Sequence, residues 1–520
     1  MSATSRIGAA DWPQWRGPDR NGAVRECPPL LEEFSPKPGL TNLWTSEPIL
    51  GSGEGGYGSV SVAAGKAYVY VNHSAPVKWR QLTSDRVKSW GYDASMPAEL
   101  SKAVEDARVS DARKNIKDNK ELKPWVDEWI KTNVKEEQKQ WKEAARIRLS
   151  AGASAMSLDV IARLQPILDR KFDTEAALAE WAKTAGFDEA TQKLVLQRMG
   201  PTETQRDTED LVYCLEAATG KTLWKTPLGG QWFYFACSAT PTISDGKCYV
   251  CNSEARIYCL DAKDGNILWK SDAFGADSFH HNRASSVLVA DGVAMAFSER
   301  CLAGIDIKDG KTLWTSKDFI NQQSTAVAFA DAGKTWVMVN ASGKLGCLDP
   351  KDGKSKWNVT GGGGSTPTLV GQYAAVATGD TNGAIFYKVS PEGAELLAKS
   401  PGKDPYACVL ISGDYAYTVG GAYQEPGKGK AVCIGIKDGK VVWEETLGAA
   451  QLASPILADG KIIAVNGGEL VVFKADPAKF TLVGKVNLGL DRWTSPAIAD
   501  GKLFLRTPRS VICVDLRKAP

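Results

Sequence analysis

The chain has 520 residues, with 63 Lys and Arg against 61 Asp and Glu, a net charge of +2, and 43% hydrophobic residues. A balance so close to neutral creates no long-range field for nucleic acid, and no basic face clusters anywhere along the chain. Its apolar runs are strand-length, far short of the roughly 20 residues that a membrane-crossing helix needs.

The opening MSATSRIGAA lacks the apolar core of a secretory signal. On these residues the protein is either cytoplasmic or a mature or trimmed form of something exported. Residues 1–40 read as an N-terminal strap containing DWPQWRGPDRNG (11–22). TNLWTSEPI (41–49) then reads as an orphan outer strand carrying Trp44, and residues 41–83 begin the β-structure with a strand at KAYVYVNH (66–73).

Residues 84–208 have another character: charged, Gly-poor and rich in Ala, Glu, Lys and Gln. Helices are predicted over 97–118, 124–150, 157–171, 173–186 and 188–199, the first two opening on Pro and the others on Ser or Asp caps. Val126, Ile130, Val134 and Trp141 approximate a helical stripe. Trp125, Trp129, Trp141 and Trp181 are expected to form the core of this insertion rather than a stacking platform.

From residue 209 the chain repeats itself. YCLEAATGKTLWK, YCLDAKDGNILWK, AGIDIKDGKTLWT and GCLDPKDGKSKWN place Trp224, Trp269, Trp314 and Trp357 at intervals of 45, 45 and 43 residues, and VCIGIKDGKVVWE adds Trp443. Each copy is two strand-type runs about a Gly turn, hence a β-hairpin. Upstream hairpins such as SATPTISDGKCYVCNS (238–253) and ASPILADGKIIAVNGG (453–468) complete four-stranded antiparallel units. Eight innermost strands start near Gly58, Ser238, Ala284, Ser324, Ser365, Ala407, Ala453 and Thr494. The fifth and seventh units lack the Trp and have Leu396 and Leu482 near its place.

A period in the forties with four strands per unit is that of a β-propeller. The fold expected is all-β, an eight-bladed propeller of four-stranded antiparallel blades with an α-helical insertion in the first blade; 209–520 form the remainder of the ring. The last unit stops after its third strand, VICVDL (511–516), so strand 41–49 should pair with it and close the circle.

Cys214, Cys259, Cys347, Cys433 and Cys513 share one third-strand position, which Gly304 takes in another blade, so that position wants a small buried side chain. Cys248 and Cys251 form a CxxC within one strand and point to opposite faces, which argues against a metal or redox role. No CxxCH motif and no adjacent cysteines occur. No metal site is predicted.

The blade-to-blade links break the monotony, and they ring the axis at one mouth. Tyr57, Trp232, His280, His281, Asn282, Arg283, Gln323, Asp404, Tyr406, Asp491, Arg492 and Trp493 are therefore the candidate binding residues for a protein partner or small ligand. No catalytic residue is assigned. Because second-to-third-strand loops share a face with those links, the helical insertion is expected to overhang this mouth. The Asp-Gly turns on the other side are turn chemistry.

The repeat YCLDAKDGNILW with its partner SATPTISDGKCYV resembles the pyrroloquinoline-quinone-like (PQQ-like) propeller repeat, and DWPQWRGPDRNG resembles the opening of many secreted bacterial propellers of this kind. The resemblance covers the chain except the insertion. That family divides into quinoprotein dehydrogenases, which hold PQQ with Ca²⁺ or a lanthanide beside a disulfide of adjacent cysteines, and non-catalytic relatives such as the outer-membrane assembly lipoprotein. With adjacent cysteines and a haem motif absent, the resemblance implies a non-catalytic binding or scaffold propeller with no cofactor. The alternative is a PQQ-dependent oxidoreductase acting on an alcohol or sugar. The resemblance also implies a monomer in the periplasm or outside the cell.

Overall fold

The computed structural model describes residues 11–24, 26–37, 39–77, 80–200, 206–231, 237–274, 285–320, 324–362, 364–378, 383–401, 407–421, 429–449 and 453–518. It divides into two compact units, Met1–Ala75 with Asp207–Pro520, and Pro76–Arg206.

The larger unit is an eight-bladed propeller: eight four-stranded antiparallel sheets in sequence order. Blade 2 is typical, with strands Thr242–Ser244, Lys247–Cys251, Ile257–Asp261 and Ile267–Ser271. Its two hairpins are made differently. In the inner one both Asp245 (φ 47) and Gly246 (φ 72) are left-handed, as a two-residue type I′ turn demands. In the outer one only Gly265 is left-handed (φ 79), while Asp261 Oδ1 accepts from Lys263 N and Asp264 Oδ1 from Asn266 N. The repeated LDxKDGK is thus two successive aspartate turns closed by a glycine.

That glycine has a second duty. A Cβ built on Gly220, Gly265, Gly310 or Gly353 would lie 2.4 to 2.8 Å from the ring of Trp44, Trp224, Trp269 or Trp314, the outer-strand Trp of the preceding blade. The indole N–H groups continue the contact, Trp269 donating to Ile307 O (3.0 Å), Trp314 to Pro350 O (2.9 Å) and Trp443 to Asp476 O (2.9 Å). Trp224 departs from this rule because Lys66 Nζ and the Tyr68 hydroxyl take the equivalent carbonyl, Ala262 O. Within a blade each Trp pairs with a small third-strand residue: Trp224 with Cys214, Trp269 with Cys259, Trp314 with Gly304, Trp357 with Cys347, Trp443 with Cys433. Large opposite small is how the layers interdigitate.

The two blades without Trp solve the same packing problem in other ways. In blade 5 the sizes are exchanged, Phe386 on the third strand facing Ala398. In blade 7 Gly484 faces Val472, and Phe34 of the N-terminal strap covers Gly484 so closely that a Cβ there would meet its ring at 2.7 Å. A bulge in each fourth strand places these positions two residues beyond Leu396 and Leu482, which are instead half-exposed at the edge.

The ring closes as the sequence requires. Strand Thr41–Thr45 pairs antiparallel with Val511–Asp515, Trp44 opposite Cys513, and completes blade 8. Inner strands are tied circumferentially by hydroxyls: Ser59 N donates to Thr240 Oγ1, Thr240 N to Ser286 Oγ, and Cys408 N to Ser454 Oγ.

The strap has a path of its own. Trp12 exchanges two backbone hydrogen bonds with Val62 of blade 1, Pro13 O accepts from Ile243 of blade 2, and Gly22 and Val24 bond Leu457 of blade 7. Between them Arg16 and Arg20, each 1% exposed, reach blade 2 again and blades 3 to 6, in or just before their inner strands. The strap's contacts with Val62, Ile243 and Leu457 lie within the last inner-strand residues before the turns, and the carbonyls of Ser286, Val287, Ala326 and Val409 lie just before the inner strands begin. The strap then runs past Glu32, paired with Lys461 and Lys474, to the closing strand.

The second unit, Pro76–Arg206, is helical with one two-stranded sheet, Arg80–Gln81 with Lys171–Phe172. One core gathers Leu100, Val104, Val126, Ile130, Val134 and Leu149, with Trp125, Trp129 and Trp141 packed on it; a second gathers Ile161, Leu164, Phe172, Leu178 and Val195, with Trp181. The predicted helix over 124–150 is in fact three segments. Asp118 caps Asn119–Asn133, which absorbs Pro124 internally, and a 3₁₀ turn, Glu136–Trp141, separates it from Lys142–Ala151.

Candidate functional site

On the face opposite the strap, the blade-to-blade links are held by the loops joining second and third strands. Asn252 Nδ2 donates to Leu228 O (3.1 Å), Asn340 Nδ2 to Ser365 O (2.8 Å) and Asn466 Nδ2 to Leu447 O (2.8 Å). An Asn at the end of a second strand suits this because one amide donates to the link and accepts from a backbone N–H. Asn340 does both, accepting from Gly362 N at 2.9 Å.

The best-built part of this face joins blades 8 and 1. Asp491, 2% exposed, accepts at Oδ2 from Ser52 N (2.8 Å) and Ser52 Oγ (2.9 Å), and at Oδ1 from Trp493 N (3.0 Å). Beneath it Arg506 is fully buried, donating to Leu50 O and to Gly58 O (2.9 Å); burial lowers its pKa to about 10, against the opposing pull of Asp491. A buried carboxylate and guanidinium thus set the backbone of both loops. What they present is a pair of half-buried rings, Tyr57 and Trp493, with centroids 5.2 Å apart and planes at 31°. The exposed Arg492 guanidinium lies 5.5 Å from the Trp493 ring centre, within cation–π range.

A second buried carboxylate stands at the junction of blades 1 and 2. Asp210 accepts from Asn72 Nδ2 (2.6 Å), Ser253 N (2.8 Å) and Ser253 Oγ (2.6 Å). Burial raises its pKa to about 6, with those three hydrogen bonds pulling the other way. Tyr70, also completely buried, is pushed well above its usual range by burial and by Asp210.

Of the residues expected at the mouth, the structure brings together Tyr57, Arg492 and Trp493. Asp491 belongs to the same loop, but its carboxylate is consumed by Ser52 and Trp493 and builds the site instead of lining it. Trp232, His280, His281, Asn282, Arg283, Gln323, Asp404 and Tyr406 lie outside the described residues. Sequence reasoning missed Ser52, Arg506, Asp210 and Ser253. The one signal was a charge at the end of an apolar strand, in EDLVYC and in KLFLR.

A family model described as outer membrane protein assembly factor BamB matches residues 180–326 and 383–515, more than half of the chain. The chain belongs to the PQQ-like propeller family. No curated protein matches it in sequence. Among solved structures it is similar to BamB from Moraxella catarrhalis, with a TM-score of 0.48 and 14% identity over 59% of this chain and 91% of that one. Quinohemoprotein alcohol dehydrogenase from Comamonas testosteroni follows with 0.45 and 12% over 60% and 73%, and a europium-containing methanol dehydrogenase with 0.43 and 13% over 59% and 81%.

One element of the quinone seat that the family resemblance describes, a disulfide between adjacent cysteines, is missing from this chain. All eleven cysteines are free, no two are adjacent, and Cys248 and Cys251 are fully buried with pKa values pushed well above normal. Thiols so buried are inert. Among the described residues no three His, Cys, Asp or Glu converge to hold a metal ion. No helix among them is long and apolar enough to cross a membrane.

Proposed function

We propose that the chain is a non-catalytic binding or scaffold propeller whose link-side mouth takes a protein partner or small ligand, with Tyr57, Arg492 and Trp493 at its best-defined edge. The observation that carries this reading is the strap. Among the described residues it packs the chain's own buried arginines against blades 2 to 6 on the turn side, which favours the link side as the face a partner or ligand approaches. An aromatic pair beside an exposed guanidinium is the composition of interaction hot spots, where a few Trp, Tyr and Arg side chains carry most of the binding energy. We place the protein in the periplasm, following the family resemblance, and take it to be monomeric.

A photo-crosslinking amino acid at Arg492, compared with one at Asp309 in an outer turn, tests the reading in the organism that makes the protein. Adducts confined to position 492, and lost in Tyr57→Ala/Trp493→Ala, support it. Equal labelling at both positions refutes it, and dye reduction by purified protein with PQQ, Ca²⁺ and an alcohol would replace it with the oxidoreductase alternative. Fractionation of the tagged protein checks the compartment.

A further inference from the structure

The geometry points to the turn-side end of the propeller axis being a built receptor for arginine side chains, filled in cis by Arg16 and Arg20 of the strap. Arg20 satisfies all five of its N–H donors. Nε donates to Gln14 Oε1 (2.7 Å), one terminal nitrogen to Ser286 O and Ala326 O (3.4 Å each), and the other to Thr242 Oγ1 (3.0 Å) and Val287 O. Arg16 donates to Arg20 O (3.0 Å), Asn21 O (3.0 Å), Thr368 Oγ1 (2.9 Å) and Val409 O (3.0 Å).

These acceptors are neutral oxygens; three belong to the strap itself and the six on the ring come from five blades. Converging inner strands present carbonyls that the blade ladders do not use, and a planar fork of five donors can collect them from several directions at once. Lys, with three donors on one atom, cannot span the same set. The receptor oxygens on the ring belong to the inner strands, Thr242 and Thr368, or to the residues that lead directly into them, Ser286, Val287, Ala326 and Val409, whereas the occupant is an irregular segment with four left-handed residues, Arg16, Gly17, Arg20 and Gly22. A ring of regular blades holding an irregular guest is the arrangement of a ligand and its site rather than of one more strand in a sheet. The receptor is separate from the link-side mouth, so its occupancy can be tested without knowing the partner.

The experiment uses the full chain with a protease recognition sequence inserted after Lys37, in the exposed stretch 35–37. After folding and cleavage, the strap fragment should stay with the ring through size-exclusion chromatography. A labelled synthetic peptide of residues 11–37 in excess should then replace it. The same peptide carrying Arg16→Lys and Arg20→Lys should bind roughly 100-fold more weakly, since several charge-assisted hydrogen bonds are lost together. A lysine peptide that binds within threefold of the wild type would overturn arginine recognition. Loss of the fragment from a still-folded ring, or collapse of the ring on cleavage, would overturn the receptor itself, because a receptor must both hold its occupant and stand without it. In the intact chain, Arg20→Lys should lower the melting temperature as far as Arg20→Ala does; a lysine variant as stable as the wild type contradicts the proposal independently.

Discussion

Asp210 makes the stability of the propeller depend on pH in a direction opposite to that of most carboxylates. Its side chain is wholly buried and accepts three hydrogen bonds, yet burial dominates and lifts its pKa from 3.8 to about 6. Between those two values the folded state holds a proton that the unfolded chain has released. The folded state is therefore favoured at the acidic end and loses stability as pH rises through about 6, by about 3 kcal/mol in all at roughly 1.4 kcal/mol per pH unit. Neighbouring Tyr70 and Cys251 stay neutral over this range, because burial pushes both well above it. Glu32 acts in the other sense and in another window: Lys474 and Lys461 hold it down to about 2, so its contribution is lost only as pH falls below about 4.5. Urea unfolding of the wild type and of Asp210→Asn, from pH 4 to 8, isolates the effect. Asn keeps the shape, and Asn72 can turn its amide to present oxygen. The wild-type stability minus that of the variant should fall by about 2 kcal/mol between pH 4 and 7, the greater part of the full change, and then level off. A difference that is constant across the range, or that rises with pH, refutes the argument from burial.

Gly265→Ala and Gly246→Ala both force alanine into a left-handed turn, at about 1–2 kcal/mol, but only at Gly265 would the methyl strike the Trp224 ring, 2.5 Å away, adding about 1–3 kcal/mol. Equal losses on thermal denaturation would refute the stacking account of the repeated glycine. Trp44→Ala removes an edge-on contact with Phe504 and the bond to Ala217 O, and should cost about 3–5 kcal/mol; a loss under about 1 kcal/mol would show that ring closure does not rest on it. Arg506→Met leaves Asp491 buried without its neighbouring guanidinium and should both destabilise the fold by about 3–5 kcal/mol and abolish crosslinking from position 492. Exposed Arg492→Ala should instead change stability by less than about 0.5 kcal/mol.

The blade count, the two hairpins of each blade, the buried third-strand cysteines and the closing strand were all legible in the sequence because they rest on local chemistry written many times over, whereas the difference between the two turns was not. A turn needs its glycine within a few residues, and a period in the forties exposes itself by repetition. Reading failed where one copy departs from the rest. Leu396 and Leu482 lie near the missing Trp, but a bulge shifts the pairing to Ala398 and Gly484, and the ring that fills the gap at Gly484 is Phe34, hundreds of residues earlier.

The candidate site was legible only as a set of variable links. Tyr57, Arg492 and Trp493 were named as candidates that way, since polar and aromatic residues in the links stand out by breaking the repeat, and the structure brings the three together. That Asp491 would turn inward to Ser52 depends on a loop from the other end of the chain, which ring closure alone brings alongside. The strap is the extreme case. The sequence by itself determined the repeat, its turns and the closure, because those follow from spacing and side-chain size within one blade. Only the tertiary structure decided that Arg16 and Arg20 pack against blades 2 to 6, because their acceptors on the blades lie 222 to 393 residues away and most are backbone carbonyls, which no side-chain pattern encodes.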